Sequence, residues 1–73
     1  SSWESAELHL RTAAEAWPDQ ILFQFDLAQL YRKRDRDDEA RAALRRVTEM
    51  VPMHPPDASF QDDARRYLEE LGS

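Results

Sequence analysis

At 73 residues the chain has room for one domain, and a core that small buries only a modest share of the chain's surface. No cysteine and a single glycine exclude a disulfide framework, a thiolate metal site and a glycine-rich phosphate or dinucleotide loop. With 41% apolar and 34% charged residues the chain reads as folded, and its formal charge of −5 hides a basic turn on an acidic body. Residues 32–46 hold Arg32, Lys33, Arg34, Arg36, Arg41, Arg45 and Arg46 against Asp35, Asp37, Asp38 and Glu39. Basic residues interleaved so closely with acids make a poor continuous phosphate track, which argues against nucleic acid as a partner.

The first predicted helix spans about 3–17. Trp3, Ala6, Leu10, Ala13, Ala14 and Trp17 recur every three to four residues along it, making one apolar face. Ser1 and Glu4 stand in the S-x-x-E relation of a capping box, Ser2 is an alternative cap, and Pro18 ends the helix. The second helix, about 20–33 with Asp19 as its N-cap, carries Ile21, Leu22, Phe23, Phe25, Leu27, Ala28, Leu30 and Tyr31. These cover more than half its circumference, so it needs covering from more than one side.

The stretch RKRDRDD has no apolar anchor and forms a turn in which Asp35 or Asp37 caps the next helix. That third helix, about 37–51, presents Ala40, Ala43, Leu44, Val47, Met50 and Val51 on one face and stops at Pro52. Pro55 and Pro56 stiffen the connector. Asp57 caps a fourth helix, about 57–71, with Ala58, Phe60, Ala64, Tyr67, Leu68 and Leu71 inward and Gly72 as its stop. The expected fold is all-α, a single domain over residues 1–73 in which short links make consecutive helices antiparallel neighbours.

The pattern repeats with a period of 34: Pro18 and Pro52, Ala6 and Ala40, Leu10 and Leu44, Ala13 and Val47. Together with Leu27, Ala28 and Tyr31, this resembles the tetratricopeptide repeat family, with one complete repeat at about 21–54 between two half repeats. Trp3 falls where a second helix of that family opens with a large aromatic. Phe60, Ala64 and Tyr67 recover a following first helix, provided two residues are inserted in the connector. Gln24 stands where the family prefers tryptophan, Asp35 where it has a turn glycine, Asp37 where it has an aromatic, and Asp63 where it often has leucine. The resemblance implies a right-handed solenoid fragment. Because the pattern opens in mid-repeat, the chain reads as a piece of a longer helical-repeat protein.

The same resemblance implies a concave groove along the first helices of successive hairpins. Carried onto this chain, its partner-facing residues are Leu22, Phe25, Asp26, Gln29, Arg32, Lys33, Gln61, Arg65 and Leu68. Leu22 and Phe25 are its apolar anchors, although both also suit a core packed against the first or last helix. Gln29 is expected to meet a peptide backbone, and Arg32, Lys33 and Arg65 acidic groups. The family's carboxylate clamp is not reproduced: Phe25 takes the lysine place, and Asp26 and Gln29 the two asparagine places. The expected ligand is therefore a protein or peptide of apolar or mixed character.

Nothing in the sequence supports catalysis, a metal or a cofactor. His9 and His54 share no ligand spacing, and the adjacent pairs Asp37/Asp38 and Asp62/Asp63 point in different directions on a helix. Two other readings stand beside the interaction module: a self-associating scaffold using Trp3 at an open edge, and an accessory domain of a larger enzyme or assembly. No apolar run approaches bilayer length, so no membrane insertion is expected. The chain reads as soluble; the cytoplasm is favoured, though no feature settles the compartment.

Overall fold

Helix α2 (Ile21–Lys33) carries apolar side chains around most of its circumference, and the other three helices cover it. The computed structural model describes residues 2–72, and among them it holds α1 (Ser2–Ala16), α2, α3 (Asp37–Glu49) and α4 (Asp57–Glu70), with no strand. Consecutive helices pack on one another, α4 also reaches α2, and α1 packs on α2 alone. The 15 Å shortest dimension is what two layers of helices about 8–10 Å apart produce.

The core lies between α2 and α3 and continues under α4. Ile21, Leu44 and Val47 are its largest fully enclosed side chains. Each removes from water an apolar surface worth about 1.5–3 kcal/mol. Ala28, Ala40 and Ala64 are also fully buried; their lack of bulk is what lets neighbouring helices approach. Helix α1 differs, since none of its residues is buried and only Ala6 and Leu10 pack on the core from its apolar face.

Several local expectations are corrected. Trp3 and Trp17 are exposed and do not face inward, and Val51 and Ala58 are likewise outside the core. Helix α3 ends at Glu49, which leaves Val51 in the connector. The residue before α2 is Gln20, and no side chain caps that helix, so Asp19 does not serve as its N-cap. Arg36 stands at the cap of α3 without a side-chain capping bond, and Asp37 is the first helical residue. Ser1, of the proposed capping box, lies outside the described residues.

Asp57 plays a different part from the one expected. Pro56 occupies the cap of α4, while the Asp57 carboxylate reaches backwards and accepts the backbone N–H groups of Met53 at 2.8 Å and His54 at 2.9 Å. It thereby closes the proline-rich connector against the start of α4. At the other end, Gly72 has φ +76 and its N–H bonds the Glu69 carbonyl, the arrangement of a left-handed helix stop.

The α2–α3 turn contains the one non-glycine residue with positive φ among those described, Asp35 at φ +58. The Arg36 N–H bonds the Tyr31 carbonyl at 2.9 Å, and the Asp35 N–H bonds that of Arg32 at 3.2 Å. These two bonds make a Schellman motif with aspartate where glycine would be free of steric cost. Replacing Asp35 by glycine should therefore raise stability by about 0.5–1 kcal/mol, and Asp35→Val should lower it by at least as much. Equal denaturation midpoints for the wild-type chain and both variants would refute this account of the turn.

The connector supplies a pH test. Its two backbone hydrogen bonds hold the Asp57 carboxyl below the usual carboxylate range. The folded state thus favours the charged form: its contribution is full above the ordinary carboxylate pKa and disappears as pH falls through the lowered one. Asp57→Ala should lower the Tm by several degrees at neutral pH, and the gap to wild type should close on acidification below about pH 4. A gap that stays constant as the pH falls well below about 4 would show that the carboxylate's charge plays no part.

Candidate functional site: the exposed face of α2 and α4

Positions 22, 26, 29 and 33 follow one another up a single stripe of α2. Leu22 is 45% exposed, Asp26 and Lys33 are exposed, and Gln29 is half-buried. Partial burial pushes the Asp26 carboxyl above its ordinary value, and nearby Lys33 opposes that shift.

Arg32 joins this stripe to α4. Its guanidinium lies 3.5 Å from the Tyr67 ring centroid, donates to Gln29 Oε1 at 2.7 Å, and pairs with Glu70 at 3.5 Å. The stacking and the short hydrogen bond hold the side chain in place; the long, solvated pair with Glu70 adds little. Arg65, exposed on α4, donates to Asp62 at 3.0 Å.

Two of the residues expected to face a partner do not. Phe25 is 6% exposed and stacks on Phe60 with ring centroids 4.9 Å apart, with Tyr67 beyond at 6.3 Å. Gln61 is also buried, and its side-chain amide donates to the carbonyls of Val47 at 3.1 Å and Met50 at 2.7 Å. Those carbonyls belong to the end of α3, so Gln61 satisfies a helix terminus and is not free for a ligand. Leu68 is half-buried against the same core. Of the nine residues expected to face a partner, Leu22, Asp26, Lys33 and Arg65 are exposed, and Gln29, Arg32 and Leu68 are half-buried.

Sequence reasoning missed the residue that ties the elements together. Arg36 binds Glu7 of α1 through both guanidinium ends, donates from Nε to Glu39 of α3 at 2.8 Å, and lies 4.7 Å from the Tyr31 ring of α2. The hydrogen bonds it donates to the Glu39 and Glu7 carboxylates raise its pKa further above the ordinary arginine value. Arg41 likewise reaches across to α4, donating to the Leu71 carbonyl at 2.7 Å. The Arg36–Glu39 spacing was a legible signal for one of these contacts; Glu7, 29 positions away, offered none.

On the opposite side, between α1 and α3, a cleft of about 390 Å³ has Gln24, Leu27 and Tyr31 on its floor. His9 and His54 are both exposed, and no group of His, Cys, Asp or Glu that could hold a metal occurs among the described residues. No helix among them is long and apolar enough to cross a membrane.

In comparison with known proteins, the family model described as tetratricopeptide repeat matches residues 2–59. No curated protein and no solved structure matches the chain.

The contrast between Phe25 and Leu22 can be measured. Phe25→Ala should cost about 3–5 kcal/mol, comparable with the whole stability of a domain this small, and so unfold much of the population. Leu22→Ala should stay within about 0.5 kcal/mol of wild type. Thermal melts followed by circular dichroism would separate the two, and a cooperative, unshifted melt for Phe25→Ala would overturn its placement in the core.

Proposed function

The chain belongs to the tetratricopeptide repeat family, and from that premise we propose that it is a non-catalytic protein-interaction module. Its ligand is a peptide or partner helix laid against the exposed face of α2 and α4. The observation that carries this reading is the immobilised Arg32 beside the α2 stripe that carries an exposed Leu22. An arginine already held by a ring and a glutamine loses little freedom on binding, and its solvated pair with Glu70 exchanges readily for a ligand oxygen.

Leu22 supplies an apolar anchor, and Asp26, Gln29, Lys33 and Arg65 supply polar groups of both signs around it. The Asp26 carboxylate disfavours a ligand chain end at this place, because two carboxylates side by side repel. A ligand of apolar or mixed character fits better. A second reading, self-association, rests on α1: Trp3 is 41% exposed, with the Arg34 guanidinium 5.1 Å from its ring.

A peptide-array screen repeated with Leu22→Ala and Arg32→Ala tests the groove. Each substitution should weaken captured peptides at least about fivefold, the loss of roughly 1 kcal/mol expected of a central contact. Unchanged binding of every captured peptide would sink the proposal. Sedimentation over a range of concentrations separates the two readings, since a groove binder stays monomeric and a scaffold does not.

A further inference from the structure

We propose that the end of the molecule built by the α1–α2 loop and the α3–α4 connector is a second docking surface. Its occupant is a short basic segment of another protein carrying an apolar anchor. A cleft of about 400 Å³ opens there between Pro18 and Asp19 on one wall and Glu49, Met50, Val51 and Met53 on the other. Val51 is 73% exposed, Met53 56%, and neighbouring Trp17 62%, so half of the exposed large hydrophobic residues among those described gather at this end. Apolar side chains concentrated in this way mark a contact surface more often than scattered ones do.

The wall is not a loose loop. Pro52, Pro55 and Pro56 restrict the connector, and the Asp57 carboxylate grips the backbone N–H groups of Met53 and His54. Met53 is therefore displayed on a fixed backbone while its flexible thioether adapts to what it meets. Binding there costs little ordering of the protein.

The charge around the cleft selects the occupant. Asp19 and Glu49 line it and no lysine or arginine does. Neither acid forms an ion pair among the described residues, in contrast to Glu7, Glu39 and Asp38 at the other end. Two uncompensated carboxylates beside an apolar floor attract lysine or arginine flanking an apolar side chain and repel an acidic segment. The chain's own basic turn is a poor occupant: Arg32 and Arg36 are held by Glu70, Glu39 and Glu7, and Asp35 and Asp37 lie between and beside the basic residues.

The test uses a short synthetic peptide with a pair of leucines flanked by lysines, titrated into the Trp3→Phe chain while the emission of Trp17 is followed. Two control peptides replace leucine by serine, or lysine by glutamate. The leucine–lysine peptide should shift the emission, and both controls should bind at least about tenfold more weakly. Reversing the cleft charges with Asp19→Lys and Glu49→Lys, or replacing Val51 and Met53 by serine, should cost a similar factor. Asp37→Lys at the opposite end, and Arg32→Ala, should leave binding unchanged. All these positions except Arg32 are exposed, and circular dichroism verifies that each variant is folded. Equal binding of the glutamate peptide, no loss in the charge-reversed chain, or loss in Arg32→Ala instead would overturn the proposal. So would dimerisation of the chain alone that disappears in the Val51/Met53 double-serine variant, since a second copy would then occupy the surface.

Discussion

Helix α2 is the element the rest of the structure depends on, because its apolar surface is too wide for any single neighbour to cover. Ile21, Phe25, Leu27, Ala28, Leu30 and Tyr31 all lie buried, and they look towards α1, α3 and α4 in turn. The close α2–α3 packing is possible because Ala28 and Ala40 add no bulk between the helices. Once that hairpin is formed, α1 and α4 have one place each to go. A repeat architecture folds on this logic: each hairpin is incomplete until its neighbours bury its remaining face.

Apolar burial alone does not specify the helix positions finely, and in this chain polar side chains supply the rest. Gln61 of α4 closes the carbonyls at the end of α3, while Arg41 of α3 reaches the Leu71 carbonyl at the end of α4. The pair forms a reciprocal clasp, with Gln61 at one end of the α3–α4 contact and Arg41 at the other. Arg36 serves the other side, binding α1 and α3 while facing the Tyr31 ring of α2. A slip of either flanking helix by one turn would strand a buried amide or break a bridged guanidinium, which costs more than the apolar contacts alone would.

The helices and their order were legible because period, proline placement and charge all pointed to the same segments. Asp35, read as the departure at the turn, is where the backbone takes its left-handed conformation. What the chain could not disclose was direction across space. Leu22 and Phe25 are three positions apart on one helical face, yet only Phe25 meets Phe60, some 35 residues later, and is buried. Gln61 and Asp57 looked like a surface polar residue and a helix cap, because the acceptors of Gln61 lie at the end of α3 and the donors to Asp57 in a proline-rich connector whose path the sequence does not reveal. The candidate site was thus legible as a stripe on α2, and its limits on α4 were not.

The two flanks of the central hairpin are not equivalent, and that difference shapes what each can do. The outer surface of α4 carries Asp62, Asp63, Arg65 and Arg66, paired with one another at 3.0 Å and 3.1 Å across one helical turn. Such a surface is content in water and gains little from a further covering element. Helix α1 has no buried residue, and Trp3 and Leu8 along it and Trp17 just past its end are exposed, which leaves apolar area that a neighbour would stabilise by covering. With α4 self-sufficient, α1 is the flank where packing remains to be gained. The α2–α4 face, where the Arg32–Tyr67 stack already holds the guanidinium, is the one we propose for a ligand, because binding there orders little that is not ordered before.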